Sequence, residues 1–256
     1  VRHDEGLPLM FTWGPQQLVS AVDPLSPSVD PFWSDVALLL KFEGQPNGST
    51  TIVDSSSFAD NKVAGSGFDI STSRSRFGGG SLRCFVMSPS TLVWRGERFA
   101  RPDNTAMTIE GWGNAVTKVN STANPWIFIY RQGLFDPPFG DFVCSLSQYS
   151  LGQNVEFKVG GFSTQQFAYT VDANGWFYYC VRIKTDNTVE LWLNTTLVNT
   201  QSFPNVVGAG SVFLNTSTTS NPDPTIEFFN DNFRVTKADR YPAGITALPG
   251  DFPTGG

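Results

Sequence analysis

Histidine is almost missing from this sequence: His3 is the only one in 256 residues. A Ser–His–Asp or Cys–His relay needs an imidazole beside its nucleophile, so hydrolysis by such a relay is not expected. Cysteine is nearly as scarce. Cys84, Cys144 and Cys180 form an odd set with no C-x-x-C spacing, which argues against a disulfide framework and against a zinc site of Cys and His. The three thiols are expected to pack as small apolar groups. Charged residues make up only 16 %, with Lys and Arg numbering 17 against 23 Asp and Glu, a net −6. The densest basic group, Arg74, Arg76 and Arg83, is interrupted by glycine. A nucleic-acid binder needs a basic stripe to neutralise phosphates, so nucleic acid is rejected as a partner. No apolar run approaches the roughly 20 residues of a membrane span. No basic segment followed by an apolar core opens the sequence, so a signal peptide is not expected in it either.

What the chain has is aromatic residues, at 14 % with 22 Phe, together with 24 Gly and 17 Pro as frequent punctuation. Aromatic and β-branched residues suit half-buried pleated surfaces, and turn signals every ten or so residues suit a sandwich. A chain of this length is commonly one domain in all-β folds. Near the C-terminus, residues 225–237 read as a closing strand, with the first apolar run, Val36 to Phe42, as its partner. That continuous run predicts a strand buried on both faces. Over 106–113, Met107 and Ile109 should face one way and Thr108, Glu110 and Trp112 the other. The clearest hairpin joins Gly175–Ile183 to Val189–Leu193 through Asp186 and Asn187. In its return strand Val189, Leu191 and Leu193 face the core. Further strands are expected at 49–53, 82–87, 126–130, 141–148, 155–159, 162–171 and 196–202, and loops through 63–67 and 95–104.

Residues 1–30 differ from the rest. Their apolar stretch Leu7 to Pro15 is broken by proline, and Pro24 and Pro27 follow, so an extended arm is expected, with room for a short helix over 16–22. Phe11 and Trp13 on that arm, with Phe32 and Trp33 after it, are candidate contacts. They dock either on the sandwich or on a neighbouring subunit. The predicted organisation is an arm at 1–30, a sandwich at 31–245 and a tail at 246–256. Asn-x-Ser/Thr triplets at Asn47, Asn120, Asn194 and Asn215 need no more than chance in a chain this rich in Asn, Ser and Thr.

Five segments in order carry a resemblance: Leu38 to Gly44, Ser73 to Ser81 with its Arg-Phe-Gly-Gly corner, Met107 to Trp112, Trp176 to Leu193, and Asp231 to Lys237 with Arg240 and Tyr241. Together they resemble the concanavalin A-like lectin/glucanase superfamily, in the laminin-G-like form found in bacteriophage virion proteins, over about residues 32–245. The resemblance implies an all-β, two-sheet antiparallel jelly-roll sandwich used as a structural unit, a host-glycan binder, or both. The expected function is a non-enzymatic structural component of a phage-like particle, tail-associated or head-decorating, with virion partners and a homo-oligomer that is a trimer by analogy; the alternative is a carbohydrate-binding module for a host-surface glycan, and after it a glycan hydrolase. The low charge and few cysteines suit assembly in a bacterial cytoplasm.

The superfamily's glucanases carry their acids as Glu-x-Asp-x-x-Glu on one strand face. Glu110, Glu190 and Glu227 have no such neighbours, so no catalytic residue and no enzyme activity are expected. Members often hold a structural calcium between first and last strands, and Glu43 and Asp231 stand at suitable ends. The preferred reading is a solvated carboxylate and a turn-capping aspartate, with no metal and no cofactor. If glycan binds, aromatic platforms should carry it, and Trp94, Trp126, Tyr130 and Trp192 are the candidates.

Overall fold

The computed structural model describes residues 30–65, 67–85, 92–102, 105–115, 126–132, 142–148, 154–160, 164–202, 209–214 and 227–255. Its strands, in chain order, are β1 (Val36–Leu40), β2 (Thr51–Ile52), β3 (Lys62–Val63), β4 (Phe68–Ser71), β5 (Ser81–Phe85), β6 (Leu92–Gly96), β7 (Met107–Ala115) and β8 (Trp126–Gln132). They continue as β9 (Phe142–Gln148), β10 (Asn154–Val159), β11 (Gln165–Ala168), β12 (Trp176–Ile183), β13 (Thr188–Leu193), β14 (Thr196–Ser202), β15 (Gly210–Leu214) and β16 (Glu227–Thr236). The only helical pieces among the described residues are two 3₁₀ turns, Trp33–Asp35 and Glu97–Phe99.

Two antiparallel sheets face each other. One runs β14-β13-β12-β7-β16-β5-β4, with β1 also on β16, and the other runs β11-β10-β9-β8-β15-β6. The β2–β3 ladder stands apart. The expected partnership of the first and closing strands holds, with Leu39 opposite Arg234 and Leu40 opposite Phe233. All five residues of β1 are buried. Period-two alternation sorts the eight-stranded sheet as the sequence predicts. Met107, Ile109, Val189, Leu191 and Leu193 enter the core between the sheets, while Trp112 joins a second apolar cluster on the outer face.

That outer face is covered rather than solvated. Ile245 and Phe252 pack on Val36, Leu39, Trp112, Trp176, Tyr178 and Phe229. The segment read as a tail therefore runs across the sheet, with Phe252 only 1 % exposed. Asp30, placed at the end of the arm by sequence, is likewise 2 % exposed and bound into the sandwich. Phe32 and Trp33 dock on the same chain: Phe32 lies under the Arg240 guanidinium at 4.9 Å, and Trp33 packs on the outer cluster. Phe11, Trp13 and the helix considered for 16–22 lie outside the described residues.

Four strands were not expected. The loop drawn through 63–67 starts within β3 and leads into β4, and the loop drawn from residue 95 begins inside β6. The sequence also gives no sign of β15, which sits between β8 and β6.

Candidate functional site

The outer face of the six-stranded sheet is the place where the fold leaves polar side chains together. Its registers set Phe213 beside Ile129 and Ile129 beside Ser145, and set Ser211 beside Arg131. Ser145 and Ser147 of β9 then face Lys158 and Glu156 of β10. Side chains alternate across a strand, so these residues share the face opposite Phe128, Cys144, Leu146, Phe157 and Val212, which fill the core. Short hydroxyl residues occupy the middle strand, and the long Arg131, Glu156 and Lys158 flank it. The result is a trough. The hydroxyls of Ser145, Ser147 and Ser211 are buried and have no hydrogen-bond partner among the described residues, which is unusual enough in a folded protein to ask for one. Arg131 is held over the Phe213 ring at 5.3 Å. Glu156 is the one carboxylate on this face among the described residues, and Gln166 donates to it at 3.2 Å. Arg131 is exposed and Lys158 half-buried on the same face.

The aromatic platforms expected from sequence are mostly elsewhere. Trp94 and Tyr130 are each 0 % exposed, inside the core. The Trp94 indole donates to the Asp60 carbonyl at 3.0 Å, and the Tyr130 hydroxyl donates to the Phe99 carbonyl at 2.9 Å. Neither can meet a sugar, because both project into the space between the sheets. Trp192 is half-buried on the outer face of the other sheet, donating to Glu190 at 3.0 Å. Trp126 stands on β8 opposite Ser147, at the end of the trough.

Glu110 and its neighbours form a second polar cluster, under the C-terminal segment. Arg234 donates twice to Glu110, at 2.9 and 2.7 Å, and once to Asp30 at 3.0 Å. The Tyr241 hydroxyl donates to Glu110 at 2.6 Å, the Tyr178 hydroxyl donates to the same carboxylate, and Arg240 reaches Asp30 at 2.8 Å. Burial, with the Glu110 charge added, pushes the Tyr178 and Tyr241 phenols far up. Every charge here is matched and enclosed, so this cluster holds the fold together and presents nothing to a ligand.

The pair Glu43 and Asp231 does meet, and the reason is a junction in the sheet. Along one edge of β16, residues 227–230 pair with β5, and 233–236 pair with β1. Between them, at Asp231 and Asn232, β16 bulges, and Asn232 takes a φ of +47°. The corner before β5 fills the gap: the N–H groups of Arg76 and Phe77 donate to Asp231 Oδ2 at 2.6 and 3.0 Å. Glu43 lies against the same corner, where a Cβ on Gly78 would fall 2.6 Å from Glu43 Oε1. Burial pushes the Asp231 carboxyl up to about 7, with the two N–H groups pulling it down and the Glu43 charge adding to the rise. Glu43 is pushed up too, by burial and by Asp251. Asp231 thus caps the turn before β5, as read from the sequence, from a buried position, and Glu43 is half-buried rather than fully solvated.

Asp231 Oδ1, Glu43 Oε1 and Asn232 Oδ1 are buried acceptors without a donor. The Asn232 amide cannot be turned round to help, because its nitrogen is needed to donate to Asp251 at 2.9 Å. Among the described residues no three Asp, Glu, His or Cys side chains converge as a metal group.

No family model and no curated protein matches the chain. Solved structures do. The receptor binding domain of botulinum neurotoxin D aligns with a TM-score of 0.58 at 12 % identity, over 81 % of this chain and 50 % of that one. The binding domain of Paraclostridial Mosquitocidal Protein 1 aligns at 0.56 and 12 %, over 81 % and 50 %. A botulinum neurotoxin serotype D ligand binding domain in complex with N-acetylneuraminic acid aligns at 0.57 and 14 %, over 81 % and 48 %. The chain thus spans about half the length of these structures, and at such identity the likeness is one of fold: a β-sandwich.

Proposed function

We propose that this chain is a non-enzymatic, glycan-binding β-sandwich module, and that the trough on the outer face of the six-stranded sheet is its binding surface. The observation that carries the reading is the polar strip of that face, where exposed Arg131 and half-buried Glu156 and Lys158 border three buried hydroxyls, Ser145, Ser147 and Ser211, that have no partner among the described residues. Sugar hydroxyls both donate and accept, which is what such a strip lacks. The exposed Arg131 guanidinium and the Lys158 amine on that face suit the carboxylate of an acidic sugar. The sialic-acid complex among the structural neighbours agrees with that preference, although the half of that protein aligned with this chain is not thereby its sugar site. Glycoside hydrolysis takes two carboxylates flanking the bond, and Glu156 stands alone on this face among the described residues.

The test is titration of the purified chain with neutral and sialylated oligosaccharides, followed by calorimetry. Sialylated ligands are expected to bind more tightly than neutral ones. Arg131→Gln, at an exposed position on that face, should weaken binding of the sialylated ligands while leaving the melting temperature near that of the parent. A blank titration at high protein concentration, or turnover of any glycan, would sink the proposal. We place the module on a phage-like particle, with its arm as anchor, on the order of the sequence segments alone. Because Asp30 is bound to Arg234 and Arg240, the informative deletion stops at residue 29. It should leave a folded sandwich that no longer incorporates into particles.

A further inference from the structure

We propose that the side chains of Lys41 and Asp251 join in an amide bond that the folded chain forms on itself, with Glu43 carrying the protons and Asn232 holding the carboxyl group. The four side chains converge where β1 ends and the C-terminal segment passes it. Lys41 directly follows β1, and its Nζ lies 2.8 Å from Asp251 Oδ2 and 3.6 Å from Glu43 Oε1. Asn232, in the bulge of β16, donates to the other oxygen, Asp251 Oδ1, at 2.9 Å. A plain ion pair needs only the first of these contacts. The other two are what amide formation needs: a proton acceptor beside the amine, and a donor fixed on the oxygen that stays. Glu43 Oε1 is buried and has no donor among the described residues, so it is open to a proton. The Lys41 side chain is 12 % exposed, so its amine is largely withdrawn from water.

The chemistry balances with the groups present. The Lys41 ammonium gives one proton to Glu43 and becomes a nucleophile. Burial and the Asp251 charge push the Glu43 carboxyl up, which suits it to hold that proton near neutrality. The amine attacks the Asp251 carboxyl carbon, a C–N bond forms, and negative charge collects on Oδ1 under the Asn232 N–H. Glu43 passes its proton to Oδ2, takes a second one from the nitrogen and delivers that to Oδ2 as well. The C–O bond breaks and water leaves. An ammonium and a carboxylate have become an amide and one water, and Glu43 ends as it began. Between free groups in water this reaction runs towards hydrolysis. Groups held in place react as if at roughly 10⁵ M or more, which turns the balance round. The bond would bridge 210 positions of the chain and tie the C-terminal segment to β1. A crosslink over so long a loop restricts the unfolded chain strongly.

The test is intact-mass spectrometry of the purified full chain under denaturing conditions, where an ion pair does not survive. The parent should be lighter than its sequence by one water, and proteolysis should yield a branched peptide joining residues 41 and 251. Lys41→Arg keeps the ion pair but removes the nucleophile, because a guanidinium stays protonated. Glu43→Gln removes the proton carrier at a partly exposed position. Both variants should fold, show the full mass of their sequences and melt about 10 °C below the parent. A folded parent of full sequence mass overturns the bond, and so does a water loss that maps to other residues. Water loss that persists in Glu43→Gln overturns the role given to Glu43. Glycan titration reports on the opposite sheet, so failure of either proposal is distinguishable from failure of the other.

Discussion

Glu110 is fully buried and accepts from Arg234, Tyr178 and Tyr241 at once. Removing its charge without changing its volume leaves two guanidinium groups, those of Arg234 and Arg240, facing a neutral amide with Asp30 alone to compensate. Breaking a buried pair by one partner costs roughly 3–5 kcal/mol. Glu110→Gln is accordingly expected to lower the unfolding free energy by an amount in that range, read as a fall in the urea midpoint with the m-value unchanged, and a shift near zero would show the pair to be spectator chemistry. Asp30 gives the pH dependence of the same cluster. Burial alone would raise its carboxyl, but the Arg240 hydrogen bond, the Phe32 N–H and the charges of Arg240 and Arg234 outweigh it and hold it below the ordinary 3.8. A carboxyl depressed in the folded state contributes stability above its unfolded pKa and loses it as pH falls through the folded value. Asp30→Asn should therefore reduce stability at neutral pH and flatten the decline on the acid side, below 3.8. Chemical denaturation of both proteins across that range decides it: parallel acid limbs would remove Asp30 from the account.

At the scale of strands, what could be read from the sequence depended on how long and how regular the pattern was. Met107 to Trp112 and Val189 to Leu193 alternate cleanly, and Val36 to Leu40 is apolar throughout, so β1, β7 and β13 and their faces were readable. In contrast β4 is four residues with an aspartate in the middle, and β15 is five residues opened by glycine. Such short pieces owe their strand form to neighbours rather than to their own period. Gly210 shows this dependence directly. A Cβ there would lie 1.9 Å from the Phe99 carbonyl, so the close approach of β15 to the 3₁₀ turn Glu97–Phe99 requires glycine. Gly210→Ala should cost about 1–3 kcal/mol through the forced backbone shift, checked by the denaturation midpoint against a control such as Ala209→Gly. The candidate site was less readable than the fold. Aromatic identity pointed to Trp94 and Tyr130, but parity decides the face, and Tyr130 is two residues from the core residue Phe128. The serines of the trough carry no pattern of their own. Their meaning comes only from lying between Arg131 and Lys158 in register. Glu43 and Asp231 could be paired by resemblance, whereas Asn232 reaches the junction only because β16 bulges there.

Among the described residues the molecule has three layers, not two: the six-stranded sheet, the eight-stranded sheet, and the segment after β16 that recrosses the outer face of the latter. β16 is central to this arrangement. It joins β7 on one side and β1 and β5 on the other, and it carries Arg234 outward to Glu110, Asp30 and the Phe252 ring. The sheet it belongs to has two buried faces, so its outer apolar residues, Trp112, Trp176, Tyr178 and Phe229, would be a solvent-exposed patch without that cover. Composition near the end, rich in proline and glycine, reads as a free tail, and a free tail predicts that substitutions there are silent. The third layer predicts otherwise. Phe252→Ala removes a fully buried ring and the cation–π contact to Arg234, and should cost about 3–5 kcal/mol. Leu248→Ser, at a residue 44 % exposed in the same segment, should stay within about 0.5 kcal/mol of the parent. Urea denaturation of the two variants side by side separates the alternatives, because a detached tail makes both silent and a docked layer makes only the first severe. The same comparison by hydrophobic-dye binding adds a structural readout, since loss of Phe252 should expose the outer cluster while the core between the sheets stays closed.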